Sequence, residues 1–206
     1  MKTIIVTSQK GGAGKTTIAR SLAVAADAAG HRVGMIDLDP QKSLREWWDE
    51  REAETPGMFE ADPAPTDLPR YLDAMRDHFD VVVVDTPPRV EGWLSDILES
   101  CDLAVIPVRA SPDDLRAVRA TLSATKEARA PFVFVLSQTT PGTRIVGAAL
   151  ARLAASGRVA PVQLANRVSH PEAAISGQIA GEIGDAKAAT EIDDLWSYIE
   201  ETLNDG

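Results

Sequence analysis

The sequence predicts a three-layer α/β/α fold built around a mostly parallel β-sheet. Segments rich in β-branched residues alternate with helical segments along the chain, an order typical of parallel sheets covered by helices. The run "VVVV" at 81–84 is apolar at every position, as expected of a strand buried on both faces. A glycine-rich turn, "GGAGKT" at 11–16, separates the first such strand from the first helix. The 206 residues are predicted to form a single domain, 1–206.

The first half of the chain is predicted to form three strands and three helices. The predicted strands are "TIIVTS" (3–8), "RVGMIDLD" (32–39) and "DVVVVD" (80–85). The predicted helices cover 16–30, 43–54 and 71–79. Between the last two helices, "DPAPTDLP" at 62–69 is rich in proline and is expected to contain little regular structure. The order strand, loop, helix, strand makes the first 39 residues a βαβ unit.

The second half continues the same alternation. Strands are predicted at 103–108, 132–136 and 161–168, and helices at 111–128, 143–156 and 191–203. Ser111 is predicted to cap the first of these helices, with Pro112 in its first turn. Apolar residues of the last helix recur at helical spacing and are expected to pack on the sheet rather than on a membrane.

Composition narrows the class of protein. The formal net charge of −10 argues against a globally basic nucleic-acid-binding protein, although it leaves room for a local basic patch. No apolar run is long enough to span a bilayer, so a cytoplasmic protein without a membrane partner is expected. Cys101 is the only cysteine and is expected to fill space in the core.

The turn at 11–16 has the features of a phosphate-binding loop. Glycines allow backbone N–H groups to approach phosphate oxygens, and the following helix N-terminus favours anions. Lys15 is expected to contact the β- and γ-phosphates, Thr16 to ligate Mg²⁺, and Thr17 to contact the α-phosphate or support the loop. The predicted nucleotide-binding residues at this turn are Gly11, Gly12, Ala13, Gly14, Lys15, Thr16 and Thr17.

Carboxylates follow two predicted strands at the edge where open α/β sheets bind ligands. "DLDPQ" places Asp37 and Asp39 after the second strand, and Asp85 ends the valine-rich strand. Because Mg²⁺ keeps waters and substrate phosphates as ligands, few protein carboxylates are needed. We expect Asp39 to orient the attacking water with support from Asp37. Asp39 and Asp85 are expected to contact the metal mainly through water.

These motifs resemble the ParA/MinD (SIMIBI) family of deviant Walker-A ATPases, whose loop has the form KGGxGK[ST][ST]. The corresponding segments are "KGGAGKTT" at 10–17, "DLDPQKS" at 37–43 and "VVVVDTPP" at 81–88. The similarity continues into "RVSHPEAAISG" at 167–177 and "DAKAATEIDDLW" at 185–196. It therefore covers nearly the whole chain and implies a P-loop ATPase that uses ATP, ADP and Mg²⁺.

The resemblance also gives a role to Lys10, the lysine that precedes the first glycine. In this family ATP promotes a sandwich homodimer, in which the extra lysine reaches the nucleotide of the partner. Lys10 is thus expected to neutralise phosphate charge in trans, and Lys10, Lys15 and Asp39 are the predicted catalytic residues. A cation supplied by a partner would couple hydrolysis to assembly.

Two branches of the family are disfavoured by the sequence. The terminal "IEETLNDG" is acidic, unlike a basic membrane-binding helix, and one cysteine is too few for an Fe–S cluster shared by two chains. The resemblance is strongest to short ParA-type partition proteins without an N-terminal helix-turn-helix. It implies a nucleoid-associated ATPase of weak basal activity, stimulated by DNA and a ParB-like partner, that segregates plasmid or chromosomal DNA. The alternative is a ParA-like ATPase that positions a protein cargo.

Contacts with DNA and adenine are predicted from the later segments. Arg167 lies in the segment that resembles the family's DNA-binding stretch, and Arg144 is a second candidate for contact with nonspecific DNA. Either arginine could instead pair with a surface carboxylate. Ser137 and Gln138, in "LSQTTPGT", are the candidates for contact with adenine.

Overall fold

A computed structural model of the chain describes residues 1–60, 64–88 and 93–205. Its sheet has seven strands, all parallel, in the order β3-β2-β4-β1-β5-β6-β7. The strands are β1 (Lys2–Val6), β2 (Val33–Asp37), β3 (Gly57–Met58), β4 (Val81–Asp85), β5 (Leu103–Arg109), β6 (Phe132–Thr139) and β7 (Val159–Ala165). The predicted α/β class with a mostly parallel sheet is therefore confirmed.

Eight α-helices of the described residues connect and cover these strands. They are α1 (Lys15–Ala28), α2 (Ser43–Asp49), α3 (Leu68–Met75), α4 (Leu94–Leu98), α5 (Pro112–Glu127), α6 (Arg144–Ala154), α7 (Ser169–Ala174) and α8 (Ala186–Asn204). Core residues of α1, α2 and α8 pack on one face of the sheet, and those of α3, α4 and α6 pack on the other. This arrangement gives the three predicted layers.

Strand β4 shows why a central strand of this sheet has a continuously apolar sequence. Val81 and Val83 belong to the core beneath α1 and α8, whereas Val82 and Val84 belong to the core beneath α3 and α4. None of the four is more than 3% exposed. Successive strand residues face opposite sides, so a strand covered by helices on both sides needs apolar residues throughout.

The order of the strands places the glycine loop at the middle of the sheet. Strand β1 lies between β4 and β5, and the chain moves to one side of it for β2 and to the other for β5, β6 and β7. Ligands of open α/β sheets bind where the strand order reverses, outside the carboxyl ends of the strands. In the register of the sheet, Asp85 lies opposite both Val6 of β1 and Asp37 of β2.

The observed elements differ from the predicted ones at their ends, and the short helices α4 and α7 have no predicted counterpart. Helix α2 ends at Asp49 instead of continuing to 54, and β3 is a two-residue edge strand that the sequence analysis did not predict. The proline-rich connection at 62–69 begins outside the described residues, and its second half forms a 3₁₀ turn, Pro65–Asp67, and the start of α3. Ser111 caps α5 as predicted, its Oγ accepting a hydrogen bond from the Asp114 N–H at 3.1 Å.

Candidate active site

The glycine loop joins β1 to α1 at the carboxyl edge of the sheet. Gly12 and Gly14 have φ values of 75° and 87°, in the left-handed region that residues with a side chain rarely adopt. Gly14 is also the N-cap of α1, and its carbonyl accepts the first helical hydrogen bond, from the Ile18 N–H at 2.9 Å. The loop therefore ends in a helix N-terminus, which favours binding of an anion.

Lys15, Thr16 and Asp85 lie together directly after this loop. The Thr16 hydroxyl donates a hydrogen bond to Asp85 Oδ2 at 2.6 Å, across 69 residues of sequence. Asp85 is fully buried and Lys15 is only 7% exposed. Burial raises the pKa of Asp85 to about 7, against the opposing effect of the Thr16 hydrogen bond. Burial also lowers the pKa of Lys15, and the negative charges of Asp85 and Asp39 partly offset that effect.

The residues at this point fit a magnesium ion that is shared with phosphates. Thr16, Asp85 and Asp39 offer hard oxygen ligands, which Mg²⁺ prefers. The described residues contain no cluster of three or more His, Cys, Asp and Glu side chains that could hold a metal without other ligands. A site with few protein ligands suits Mg²⁺, because the ion keeps waters and binds substrate phosphates.

The two carboxylates of "DLDPQ" have different surroundings. Asp37 is 6% exposed and accepts hydrogen bonds from the backbone N–H groups of Asp39, Leu44 and Arg45 at 2.9–3.0 Å. Asp39 accepts one from the Gln41 N–H at 2.9 Å and lines the cavity beside the glycine loop. Asp37 thus holds the turn and the start of α2, whereas Asp39 has one backbone donor and lines the cavity.

This difference predicts a stability defect for Asp37→Ala. Three backbone N–H groups lose their acceptor, two of them at the N-terminus of α2, which we expect to lower the free energy of unfolding by about 1–3 kcal/mol. Urea denaturation measures the change. Asp49→Ala, which removes only an exposed ion pair with Arg45, should change it by less than about 0.5 kcal/mol. Equal losses in the two variants would contradict the capping role.

Lys10 is held by its own chain in this structure. Its Nζ lies 2.9 Å from Asp114 Oδ2, in the first turn of α5, and the same carboxylate accepts a hydrogen bond from Arg109 Nε at 2.9 Å. The Asp114 side chain is only 3% exposed. Its burial acts to raise its pKa, but hydrogen bonds from Arg109, Ser111 and Lys10 keep the pKa below its usual value. Asp114 therefore competes with any phosphate for the Lys10 ammonium group.

Ser137 and Gln138 support the glycine loop through hydrogen bonds to its backbone carbonyls. Ser137 Oγ donates to the Ala13 carbonyl at 2.8 Å, and Gln138 Nε2 donates to the Gly12 carbonyl at 2.7 Å. Both residues line the cavity beside the glycine loop, but these donor groups are occupied by the loop carbonyls. The structure therefore gives them a bracing function, and their predicted contact with adenine stays a prediction.

A cavity of about 1200 Å³ extends from the glycine loop to α2 and α7. Arg167 lines it and is paired with Glu191, with Asp185 at 4.0 Å, so the ion-pair alternative for this residue is the one observed here. Arg144 is exposed at the first position of α6. Asn166, which the sequence analysis did not single out, lies in the cavity wall at the end of β7.

Comparison with known proteins identifies the family. The profile of the CobQ/CobB/MinD/ParA nucleotide-binding domain matches residues 4–185. The chain belongs to this family. The ParA/MinD relationship inferred from "KGGAGKTT" is thus confirmed, and members of the ParA/MinD group are ATPases.

Individual ParA/MinD relatives cover most of the chain. It is 30% identical to the maintenance of carboxysome distribution protein A of Halothiobacillus neapolitanus over 214 aligned residues, 98% of this chain and 96% of the relative. It is 28% identical to the chromosome-partitioning ATPase Soj of Thermus thermophilus, over 63% of this chain and 64% of the relative. The solved structure of an ATP complex of Cyanothece McdA shares its fold, with a TM-score of 0.80 at 17% identity over 99% of this chain and 96% of the other.

The sequence analysis of this ParA/MinD protein missed two features of the site, the double pairing of Asp114 and the position of Arg109. The acidic pair in "SPDD" suggested only a favourable helix end, whereas Asp114 binds both Lys10 and Arg109. Arg109 ends a buried strand, and nothing in its neighbourhood linked it to a loop about a hundred residues earlier. A charged residue directly after a central strand, at the edge that carries the loop, is the signal that could have drawn attention to it.

Proposed function

We propose that this protein is an ATP-driven switch that positions a protein cargo. The similarity to a carboxysome distribution protein over nearly the full length of both chains carries the proposal. Among the relatives compared above, this one shares more of the chain and a higher identity than the partition ATPase. It favours the cargo alternative over plasmid or chromosome partition, which the sequence analysis placed first.

The switch would begin with binding of ATP and Mg²⁺ at the glycine loop. Backbone N–H groups of the loop and Lys15 would hold the phosphates, and Thr16 with Asp85 would hold the metal. The bound ion would neutralise charge on the phosphates and so lower the cost of phosphoryl transfer. Asp39 would orient the water that attacks the γ-phosphate. Nucleotide contacts around the base would come from the segment at 164–166, which lines the same cavity.

Lys10 would couple nucleotide to assembly. In the monomer its charge is compensated by Asp114 at 2.9 Å, and Arg109 bonds to the same carboxylate. When Lys10 moves to the phosphates of a second copy, Arg109 can remain and keep Asp114 neutralised. A buried carboxylate without a partner would cost several kcal/mol, and Arg109 spares Asp114 that cost when Lys10 moves away. Loss of the γ-phosphate would remove the attraction in trans and return Lys10 to Asp114.

Partners would complete the cycle. We infer an ATP homodimer that binds nonspecific nucleoid DNA and is released when an adaptor protein stimulates hydrolysis. The described helices include none that is both long and apolar enough to cross a bilayer. Plasmid or chromosome partition with a ParB-like partner stays a second candidate, because partition proteins of Thermus thermophilus are 28–32% identical over parts of the chain.

One experiment separates the two candidates. The rate of phosphate release is measured alone, with nonspecific DNA, and with DNA and the product of an adjacent gene, and the gene for the ATPase is then deleted. Cargo positioning predicts stimulation by the adaptor and clustering of a protein assembly, with plasmids and chromosomes inherited normally. Loss of plasmids or chromosomes with an unchanged distribution of protein assemblies would favour partition.

The proposed DNA-binding surface has its own test. Arg144→Ala combined with Arg167→Ala is expected to weaken ATP-dependent binding to nonspecific DNA and to reduce the slope of log K against log salt by about 2, because each arginine would neutralise one phosphate. Fluorescence anisotropy across a salt series measures both. Arg158→Ala serves as a control arginine. DNA binding that survives removal of both arginines would rule out their assignment.

A further inference from the structure

The most unusual charge in the described residues is a buried arginine at the wall of the nucleotide cavity. Arg20 lies on α1 and is 6% exposed. Its Nη2 donates a hydrogen bond to the His170 carbonyl at 2.9 Å, and its Nε has no hydrogen-bond partner among the described residues. Burial lowers the pKa of Arg20 to about 10, so the side chain stays charged at neutral pH.

Arg51 provides a contrast within the same cluster. The two guanidinium groups both lie over the ring of Trp47, at 6.0 Å for Arg20 and 5.3 Å for Arg51. Arg51 is neutralised by Glu182, which accepts two hydrogen bonds at 2.7 and 3.0 Å. No such carboxylate pairs with Arg20 in the described part of the chain. A buried charge without a counter-ion is costly. Arg51 therefore forms a structural ion pair, whereas Arg20 is a buried cation that can bind an anionic ligand.

The place of Arg20 on its helix identifies which anion can reach it. Side chains three and four residues apart share one face of a helix, and each leans toward the helix N-terminus. Arg20 therefore lies on the face of Thr16 and Thr17, behind the glycine loop, and all three line the same cavity. Thr17 is the residue expected to contact the α-phosphate or to support the loop. Glu46 of α2 and Glu50, the residue after that helix, also line the cavity, but both are exposed and neither pairs with Arg20.

We propose that Arg20 is an additional nucleotide-binding residue, whose buried guanidinium binds the nucleotide on its α-phosphate side. The inference rests on the proposed binding of ATP and adds a contact that the phosphate loop does not supply. The free protein bears the cost of burying the Arg20 charge without a counter-ion. A phosphate group of the bound nucleotide compensates that cost. Arg20 already contacts Trp47 of α2 and His170 of α7, so a nucleotide bound to Arg20 would be linked to α1, α2 and α7 through this one side chain.

The test compares Arg20→Met with Arg51→Met in the full chain. Without nucleotide, Arg20→Met is expected to unfold at the wild-type temperature or above it, since a costly unpaired charge is removed, whereas Arg51→Met unfolds at a lower temperature. ADP and ATP are expected to bind about tenfold more weakly to Arg20→Met, the loss expected for one charge-assisted hydrogen bond. Arg51→Met should bind both as the wild type does. Calorimetric titration below the unfolding temperature gives the dissociation constants.

Each outcome decides the matter. Wild-type affinity of Arg20→Met for ADP and ATP would overturn the proposal. A lowered unfolding temperature of Arg20→Met with unchanged nucleotide affinity would also overturn it, because a purely structural residue behaves in that way. If inorganic phosphate stabilises the wild type but not Arg20→Met while ADP affinity is unchanged, the site takes free phosphate and the nucleotide contact is refuted. Arg20→Gln replaces Arg20→Met if the latter does not fold. Failure of the wild type itself to bind ATP, with Lys15→Ala as the reference, would refute the proposed function instead.

Discussion

Lys10→Ala is expected to bind ATP with wild-type affinity, to remain monomeric in its presence, and to lose partner-stimulated hydrolysis by about 100-fold, a typical cost of removing one electrostatic contact in a transition state. In the structure the Lys10 side chain is 31% exposed and bonds to Asp114, not to the loop that would hold its own nucleotide. Its absence should therefore leave ATP binding intact. Fluorescent-nucleotide titration and phosphate release measure the two effects.

Asp114→Asn is the matched control for Lys10→Ala. It keeps Lys10 but replaces the carboxylate that holds it at 2.9 Å. With this restraint weakened, we expect dimerisation at the same or a lower ATP concentration than in the wild type. If Lys10 served only to hold the start of α5 through Asp114, the two variants would behave alike. That result, or normal stimulated turnover in Lys10→Ala, would disprove the function in trans.

Asp39→Ala is expected to form the ATP dimer but to hydrolyse ATP at least about 100-fold more slowly, the usual range for loss of a positioned general base. Asp39 lines the cavity, is 9% exposed, and has the Gln41 N–H as its hydrogen-bond donor. Its carboxylate is free to orient water, and its loss should not disturb the phosphate loop. Size-exclusion chromatography and phosphate release give assembly and turnover separately.

The comparison with Asp37 makes the Asp39 prediction specific. Asp37→Ala should lose stability, because three N–H groups depend on that carboxylate, whereas Asp39→Ala should unfold nearly as the wild type does. Slow turnover accompanied by a large loss of stability in Asp39→Ala would point to a structural defect. Hydrolysis at the wild-type rate would remove Asp39 from the mechanism.

The layers of this fold were predictable because its local patterns agree with its global arrangement. The valine run of β4 is buried on both faces, and the glycine loop sits between a strand and a helix where a left-handed φ at Gly14 is required. Because parallel strands end at one edge of the sheet, Asp37 and Asp85 were also predictable at the edge that carries the loop. Strand β3 was missed because two residues carry no periodic pattern.

Pairings between distant segments could not be predicted in the same way. Lys10 and Asp114 are 104 residues apart, and Gln138 and Gly12 are 126 apart. Each partner alone has an ordinary explanation, as a helix-end acid or a residue after a buried strand. Only the tertiary structure shows that Gln138 braces the loop and that Arg20 is buried without a carboxylate. Such pairings depend on which strands become neighbours, which a single sequence does not specify.

ATP is expected to assemble two copies of this chain into a dimer. Sedimentation velocity of the wild type with Mg²⁺ and a slowly hydrolysed ATP analogue tests it most directly, with ADP and nucleotide-free samples alongside. We predict a single species of two chains with the analogue, and a species of one chain with ADP or without nucleotide. A single-chain species in all three samples, at concentrations where the analogue is bound, would contradict the account.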